Sequence, residues 1–266
     1  MIKKLRQWLY EPRVRGVDVD ANSLLDTHIA ILREKALLRS AFETFYRDMS
    51  ELCDGFFPVS GIELELGTGA GFFKTLRPAL VTSDIRKGPH IDMELDGQEM
   101  ALRDESVRCI YAINVFHHLA DPELFFGELS RVLKPGGGCI LIEPHKGFLS
   151  ALLHKHLHTD EHFDTEATGW RNSQIAGPLS GANQALAHIV FERDKKRFDQ
   201  LFGNQLEIVH QGYELNASRY LLSGGLNFRQ LLPSFMARPM ALLERIASPL
   251  AQYWSLHQVI VIRKRL

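Results

Sequence analysis

The chain alternates short apolar runs with segments of helical periodicity. The apolar runs predict strands near residues 62–66, 80–84, 90–94, 108–113 and 138–143, and the segments between them predict helices near 70–78 and 122–134. Such an alternation indicates an α/β fold, with a parallel sheet covered by helices on both faces. Right-handed crossovers then place the carboxyl ends of the strands at one edge, where open α/β sheets bind ligands.

The segment 17–58 is predicted to be largely helical. Five of its side chains recur at i, i+3, i+4, i+7 and i+11, which places them on one helical face. These residues are Leu25, His28, Ile29, Leu32 and Ala36. We expect the segment to lie over the ligand-binding edge of the sheet, and we call it the helical lid.

A glycine-rich loop follows the first predicted strand. Residues 62–71 contain Glu65 and then three glycines, Gly67, Gly69 and Gly71. Glycine lets the backbone turn sharply and come close to a ligand. The helix predicted at 70–78 would direct its free N–H groups towards that ligand. A dinucleotide fingerprint requires a third glycine at position 72, where this chain has Phe72, so binding of a pyrophosphate is disfavoured.

Two carboxylates at predicted strand ends indicate the kind of ligand. Asp84 ends the second apolar strand, 19 residues after Glu65. A carboxylate at this position of a βαβ unit accepts hydrogen bonds from ribose hydroxyls. Glu65 is better placed to meet a cationic amino group than a phosphate, since two anions repel each other. A nucleoside without phosphates is therefore predicted, and S-adenosylmethionine fits.

Three motifs support this interpretation. Residues 65–71 read acidic-x-Gly-x-Gly-x-Gly, and 92–100 read Asp-Met-Glu-Leu-Asp-Gly-Gln-Glu-Met. Residues 111–144 contain His-His-Leu-Ala-Asp-Pro, Leu-Lys-Pro-Gly-Gly-Gly and Ile-Glu-Pro. With these motifs the chain resembles the class I S-adenosylmethionine-dependent methyltransferases, in particular the ubiquinone and menaquinone type. The resemblance covers about 62–144.

The resemblance implies a Rossmann-like, seven-stranded sheet. A helix near 185–200 and strands near 206–211 and 257–262 would complete it. We expect a single domain over 1–266, with its cofactor-binding core at 60–145. The segments 146–183 and 212–256 would be insertions on the substrate side.

The resemblance also assigns cofactor contacts. Glu65 would meet the methionine amino end, Asp84 the ribose and Asp96 the adenine amino group, while Asn114 flanks the methionine moiety. The full set of expected cofactor-binding residues is Glu65, Gly67, Thr68, Gly69, Gly71, Asp84, Asp96, Gly97 and Asn114.

Histidines are the candidates for acid–base chemistry. A sulfonium methyl group is already activated, so the enzyme mainly positions the acceptor and excludes water. If a side chain takes a proton from the acceptor, His145 is the first candidate and His117 the second. A further group, His154, His156, His158 and His162, could bind zinc, but no thiolate or fixed outer partner accompanies it. We therefore assign no metal site from the sequence.

An insertion of about 45 residues separates Gln211 from His257. It is rich in apolar residues, and its ionic residues between 219 and 252 are Arg219, Arg229, Arg238 and Arg245 against Glu244. Apolar helices with arginines suit a membrane interface or a cap over an apolar substrate. Packing on the sheet or on a second subunit is the alternative. Residues 1–10 have the same character, so we expect peripheral membrane contact through 1–10 and 219–252.

Composition excludes several classes of function. The 266 residues carry 31 basic and 32 acidic side chains, a formal charge of −1, which argues against nucleic-acid binding. The three cysteines, Cys53, Cys109 and Cys139, form no Cys-x-x-Cys pair, which favours a reducing compartment. Neither a membrane span nor a signal peptide is predicted. We expect a cytoplasmic protein with peripheral contact at the inner face of the membrane.

The function expected from the sequence is methyl transfer from S-adenosylmethionine to oxygen or carbon of a small, apolar or lipid-linked molecule. Two alternatives remain. The first is a catalytically silent scaffold protein that binds the cofactor. The second is a nicotinamide-dependent oxidoreductase, which Phe72 and the Leu-Lys-Pro-Gly-Gly motif at 133–137 disfavour.

Overall fold

A computed structural model describes residues 7–148, 150, 161–175 and 177–266 of the chain. Its centre is a seven-stranded sheet with the strand order β3-β2-β1-β4-β5-β7-β6. The strands are β1 Ile62–Leu66, β2 Val81–Asp84, β3 Met93–Glu94, β4 Val107–Ile113, β5 Leu133–Pro144, β6 Leu206–Tyr213 and β7 His257–Lys264. Strands β1 to β5 pair in parallel, whereas β7 lies antiparallel between β5 and β6. The predicted seven-stranded α/β fold is confirmed.

Helices cover both faces of the sheet. They are α1 Asn22–Glu34, α2 Ala36–Phe56, α3 Pro122–Val132, α4 Leu186–His188, α5 Lys195–Phe202, α6 Ala217–Ser223, α7 Ala237–Ile246 and α8 Ala251–Trp254. A π-helical turn, Ile189–Arg193, joins α4 to α5. Short 3₁₀ turns lie at Pro12–Val14, Phe73–Thr75, Phe116–His118, Ser234–Met236 and Ser248–Leu250. The helix predicted near 122–134 is confirmed as α3, which Asp121 caps by accepting from the Glu123 N–H at 3.1 Å.

Strict alternation along the central strands produces two separate cores. On β5, Cys139 and Leu141 pack in the core that contains α3, while Ile140 and Ile142 pack in the core that contains α2. All four side chains are fully buried. Both faces of a strand in a doubly covered sheet are apolar, which explains why these strands read as continuous apolar runs.

Two predicted elements are shorter than expected. The helix predicted at 70–78 is wrong, because after the glycine loop the chain forms only the 3₁₀ turn Phe73–Thr75. Pro78 disfavours helical geometry at the residue before it, so the turn has no room to extend into a helix. The strand predicted at 90–94 is reduced to Met93–Glu94.

The helical lid consists of α1 and α2, separated at Lys35. Lys35 is buried, and its Nζ donates to the carbonyl oxygens of Gly225, at 2.9 Å, and Phe228. Burial lowers the pKa of Lys35 to about 8. Of the predicted lid face, Leu25, His28 and Leu32 are buried, whereas Ala36 is exposed because the helix breaks before it. The break therefore joins the lid to the insertion between β6 and β7.

The insertion is held by a buried ion pair. Arg219 on α6 lies 2.6 Å from Glu244 on α7, and its guanidinium also donates to the carbonyl of Ser40 at 2.7 Å and the hydroxyl of Thr44 at 2.9 Å. The expectation that Arg219 belongs to a cationic surface is wrong, because it connects α6, α7 and α2. Arg238 and Arg245 are exposed, as expected.

Parts of the sequence predictions concern residues outside the described ones. Residues 1–6 of the N-terminal segment, and His154, His156 and His158 of the histidine group, are outside them. No helix in the described part of the chain is both long and apolar enough to cross a membrane. Cys53, Cys109 and Cys139 are free and buried.

Candidate active site

A cavity of about 680 Å³ lies at the carboxyl ends of β1, β2, β4 and β5. Its floor is formed by the loops after β1, β2 and β4, and its walls by the lid and the insertion. The structure brings every predicted cofactor-binding residue, and His117, to this cavity. They are Glu65, Gly67, Thr68, Gly69, Gly71, Asp84, Asp96, Gly97, Asn114 and His117.

Glu65 is a buried carboxyl group in the cavity floor. The Thr68 hydroxyl donates to its Oε2 at 3.1 Å. Burial, with a smaller contribution from the charge of Asp84, raises the pKa of Glu65 to about 8. No lysine or arginine among the described residues forms an ion pair with Glu65. A cationic group brought beside it would therefore be bound strongly and would restore its ionised form.

The loop after β1 requires glycine at two positions. Gly67 has φ +66°, and a Cβ there would lie 2.4 Å from Cγ2 of Val115. At Gly71 a Cβ would lie 2.7 Å from the Tyr46 hydroxyl and 2.8 Å from the carbonyl oxygen of Thr68. Because these atoms cannot all move away, the close packing of the loop requires glycine at both positions.

Asp84, at the end of β2, is held by two neighbours. Its Oδ2 accepts from the Gly69 N–H at 2.9 Å, and its Oδ1 accepts from the Arg86 N–H at 2.9 Å. The Arg86 guanidinium approaches Oδ1 at 3.3 Å. A carboxylate has about four lone-pair sites, so both oxygens retain capacity for a ligand. Sequence reasoning missed Arg86, which lines the cavity and whose Nη1 has no hydrogen-bond partner among the described residues.

Asn114 and Asp96 lie at two further strand ends. Asn114 adopts φ 55°, an uncommon value for a residue other than glycine, which marks a strained position at a site. Its Oδ1 is buried with no hydrogen-bond partner among the described residues. Asp96 is half-buried, and its Oδ1 accepts from the backbone N–H of Gln98 at 2.8 Å.

His117 is paired with a glutamate that the sequence analysis did not assign. Its Nδ1 lies 2.5 Å from Oε2 of Glu143, which is fully buried at the end of β5. Oε1 of Glu143 accepts from the backbone N–H groups of Val115 at 2.9 Å and Phe116 at 2.8 Å. Burial lowers the pKa of His117, but the charge and hydrogen bond of Glu143 outweigh it and the net pKa is raised. The sequence signal that could have identified Glu143 is its position as the acidic residue of the Ile-Glu-Pro motif.

His145 is not where the sequence analysis placed it. It does not line the cavity; its Nε2 lies 3.1 Å from the carbonyl oxygen of Gln252, and its ring packs against Tyr213. The backbone N–H of His145 bonds to Leu256, which turns the chain after β5 towards α8. Burial lowers the pKa of His145. The expectation that His145 faces the acceptor is therefore wrong, and His117 is the predicted histidine that reaches the cavity.

The cavity walls above the carboxylates are largely apolar. The lid, the segment around 175–179 and the insertion all contribute, so each segment expected on the substrate side reaches the site. Their apolar side chains are Leu24, Leu25, Phe42, Ile175, Leu179, Tyr220, Leu221, Leu226, Phe228 and Leu231.

Comparison with known proteins agrees with this site. Residues 64–141 match the family model described as a methyltransferase domain, Methyltransf_11. No curated protein is significantly similar to the chain in sequence.

The chain is also similar to several solved structures. One is a methyltransferase in complex with the Haloferax volcanii Trm112 methyltransferase activator, with 15% identity, a TM-score of 0.46, and coverage of 90% of this chain and 96% of that one. A Pyrococcus horikoshii protein has 14% identity, a TM-score of 0.46, and coverage of 86% and 91%. Geranyl diphosphate C-methyltransferase from Streptomyces coelicolor has 12% identity, a TM-score of 0.43, and coverage of 83% and 77%.

The family match begins within β1 and ends within β5, and it contains the predicted motifs except the Ile-Glu-Pro motif at 142–144. The match of residues 64–141 to the methyltransferase-domain model agrees with the resemblance to class I S-adenosylmethionine-dependent methyltransferases that the sequence motifs indicated.

Proposed function

We propose that the protein transfers the methyl group of S-adenosylmethionine to oxygen or carbon of a small, apolar or lipid-linked molecule. One observation carries the proposal: a single cavity joins a floor that bears Glu65 and Asp84 to walls of apolar side chains from the lid and the insertion. The floor suits the cofactor, and the walls suit the acceptor.

The cofactor would lie along the carboxyl ends of the strands. Glu65, buried and without a cationic partner among the described residues, would accept the ammonium of the methionine moiety. Asp84 would accept from the ribose hydroxyls through its remaining lone pairs. Asp96 would meet the adenine amino group, and Asn114 would flank the methionine moiety. In this arrangement the sulfonium methyl group would lie on the side of the cavity that His117 lines.

The acceptor would occupy the part of the cavity beneath the lid and the insertion. Leu25 and Phe42 line it from the lid, and Leu226 and Phe228 from the insertion. Apolar walls with few polar groups bind apolar ligands and exclude water. Methyl transfer requires little more than holding the acceptor atom about 3 Å from the methyl carbon, so the acceptor can be an oxygen or a carbon.

Calorimetry tests the cofactor assignment. Asp84→Ala should weaken binding of S-adenosylhomocysteine by about 1–3 kcal/mol, because charge-assisted hydrogen bonds are lost. Asp199→Ala on α5 is the matched control, since Asp199 pairs with Lys195 and does not line the cavity. Equal affinity of the Asp84→Ala variant and the wild type would reject the assignment, and binding of NADH would favour an oxidoreductase.

Cell extracts test catalysis and identify the acceptor. The enzyme, incubated with extract and cofactor labelled in its methyl group, should yield a new labelled metabolite detectable by mass spectrometry. S-adenosylhomocysteine should form from the cofactor at the same rate as the labelled metabolite appears. A protein that binds the cofactor tightly but converts none of it under these conditions would be the scaffold instead.

Apolar side chains on the insertion support contact with a membrane. Between 231 and 253 the exposed large side chains include Phe235, Leu242, Leu243, Ile246, Leu250 and Tyr253, and Phe235 is 77% exposed. Exposed Arg238 and Arg245 lie on the same segment. An apolar surface bordered by arginines suits the interface of an anionic membrane.

The end of the N-terminal segment lies beside the insertion. The Arg229 N–H donates to the Leu9 carbonyl at 2.7 Å, and the Arg229 guanidinium lies 5.7 Å from the centre of the Trp8 ring. Trp8 is itself largely exposed. The two segments for which the sequence predicted membrane contact are therefore neighbours in the fold.

Flotation with anionic liposomes tests membrane contact. The wild type should float with the vesicles at low salt and less at high salt, since the arginine contribution is screened. Replacing Phe235, Leu243 and Ile246 by serine should leave the protein in the bottom fraction. Leu201→Ser on α5 removes an equally exposed leucine elsewhere and should float like the wild type. A wild-type protein that stays at the bottom at low salt would remove this part of the proposal.

A further inference from the structure

Three side chains in the cavity form a cluster of potential metal ligands. They are His117, His118 and Glu161, each of which offers a ligand atom within 4.8 Å of the others. Nε2 of His117 lies 3.9 Å from Oε2 of Glu161, and Nε2 of His118 lies 3.7 Å from Oε1. All three line the cavity. We propose that this cluster binds a divalent transition-metal ion.

The spacing of the ligand atoms suits such an ion. Zinc binds histidine nitrogen and carboxylate oxygen at about 2.0–2.2 Å, so ligand atoms around a tetrahedral ion lie about 3.3–3.5 Å apart. The two distances to Glu161, 3.9 and 3.7 Å, exceed this spacing by about 0.2–0.6 Å, which small side-chain rotations can close. Two imidazoles and one carboxylate also leave coordination positions open, as in catalytic zinc and non-haem iron sites.

A second carboxylate orients one of the ligands. Oε2 of Glu143 lies 2.5 Å from Nδ1 of His117, and in the tautomer that donates from Nδ1 to this carboxylate, Nε2 is left free to bind an ion on the side of Glu161. Glu143 is itself fixed by two backbone N–H groups. This carboxylate–histidine arrangement is the usual outer support of a metal-bound histidine.

Glu161 is also oriented before any ion binds. The side-chain amide of Gln184 donates to its Oε2. The ring of His118 packs against that of His117, with centroids 4.2 Å apart. His117 and Glu161 are therefore held by partners outside the cluster, and His118 is held by its ring contact with His117.

A divalent cation would balance the negative charges of the two carboxylates near the cluster. Glu143 and Glu161 bring two carboxylates to a pair of histidines. The nearby cation, Arg86, is already paired with Asp84. Glu143 is fully buried and Glu161 is partly buried, and carboxylates removed from water are stable when they are paired or coordinate a metal, so an ion of charge +2 would stabilise both.

The open positions of the ion would face the acceptor. An oxygen of the acceptor, as a hydroxyl, carboxylate or phosphate, would be a ligand and would be held beside the methyl group. This role rests on the proposed methyl transfer, whereas binding of the ion does not. The acceptor would then be an apolar molecule that carries a metal-binding oxygen near the methylated atom.

Calorimetric titration with zinc chloride tests the site in the full chain, treated first with a chelator. The wild type should bind one zinc ion per chain, and His118→Gln and Glu161→Gln should each weaken binding by about tenfold or more. His162→Gln is the matched control, because His162 is next to Glu161 in the chain but is outside the cluster. Cobalt substitution should give visible absorption in the wild type and in the control, and not in the two variants.

Two results would overturn the proposal: no stoichiometric zinc binding by the wild type, or equal zinc affinity in all three variants and the wild type. Binding of S-adenosylhomocysteine and the thermal unfolding temperature of each variant establish that it is folded. Zinc binding without S-adenosylhomocysteine binding would refute the proposed function and leave the metal site intact. Binding of S-adenosylhomocysteine without binding of zinc would refute the metal site alone.

Discussion

Glu65 permits a direct test of the electrostatics of the cavity floor. The carboxyl group is buried, its pKa is raised to about 8, and its only hydrogen-bond donor among the described side chains is the hydroxyl of Thr68. Glu65→Gln removes the charge and retains the size and an oxygen that can accept the same hydrogen bond. The variant therefore separates the cost of the buried charge from the packing of the side chain.

The pKa sets the size of the effect. It rises from 4.5 in the unfolded chain to about 8 in the folded protein, a difference of about 3.5. Each pKa unit corresponds to about 1.4 kcal/mol, so the buried charge destabilises the folded state by at most about 5 kcal/mol. Above pH 4.5 the unfolded chain releases a proton that the folded protein still holds. The wild type should therefore lose stability relative to the variant from pH 4.5 to 8, with no further change above pH 8.

The cofactor should reduce this pH dependence of stability in the wild type. The ammonium of S-adenosylhomocysteine would pair with Glu65, favour its ionised form and lower its pKa. With saturating ligand, the wild type should then lose much less stability between pH 6 and 8. The Glu65→Gln variant should bind the ligand more weakly, because a neutral amide replaces the ion pair.

Urea unfolding at several pH values between 5.5 and 8.5 measures the difference in unfolding free energy. Glu94→Gln is the control, since Glu94 is an exposed carboxylate on β3. Its difference from the wild type should stay nearly constant over this range. A Glu65→Gln difference that is also independent of pH, or that shrinks as pH rises, would refute the interpretation of Glu65 as a buried, uncompensated acid.

Three further substitutions test the packing. Gly71→Ala places a Cβ 2.7 Å from a tyrosine hydroxyl and should weaken S-adenosylhomocysteine binding severalfold, as measured by calorimetry. Gly127→Ala is the control, because a Cβ there has nothing within 4 Å and should leave binding unchanged. Equal binding by the two variants would contradict the close packing at Gly71. Arg219→Met leaves Glu244 buried without its partner and should lower the free energy of unfolding by about 3–5 kcal/mol in urea. A loss below 1 kcal/mol would show that the pair is not structural. Asp121→Ala removes the cap of α3 and should cost about 1 kcal/mol, and an unchanged unfolding midpoint would refute the cap.

The sheet and the cavity floor could be predicted because local pattern and topology determine them together. Ile140 and Ile142 alternate with Cys139 and Leu141 between two cores, which gives an apolar run that reads as a doubly covered strand. Parallel strands place their carboxyl ends together, so Asp84 had to lie near the loop after β1.

The errors came from contacts that the sequence does not encode locally. His145 was assigned to the acceptor because it follows β5, but its backbone pairing with Leu256 directs the ring towards α8. The composition of the insertion suggested that Arg219 lies on the surface, but in the fold it pairs with Glu244 of another helix. Glu161 lies 3.9 Å from His117, but it belongs to no motif that the sequence offers.

Lys35 has a consequence for the turnover cycle. Its buried ammonium fastens the junction of α1 and α2 to the carbonyl groups of Gly225 and Phe228, so two chain segments that are distant in sequence form one roof. Separating the lid from the insertion would expose the Lys35 ammonium and break both of its hydrogen bonds together. We expect departure of the spent cofactor and entry of the next acceptor to share this gate, so that the two exchanges are timed together.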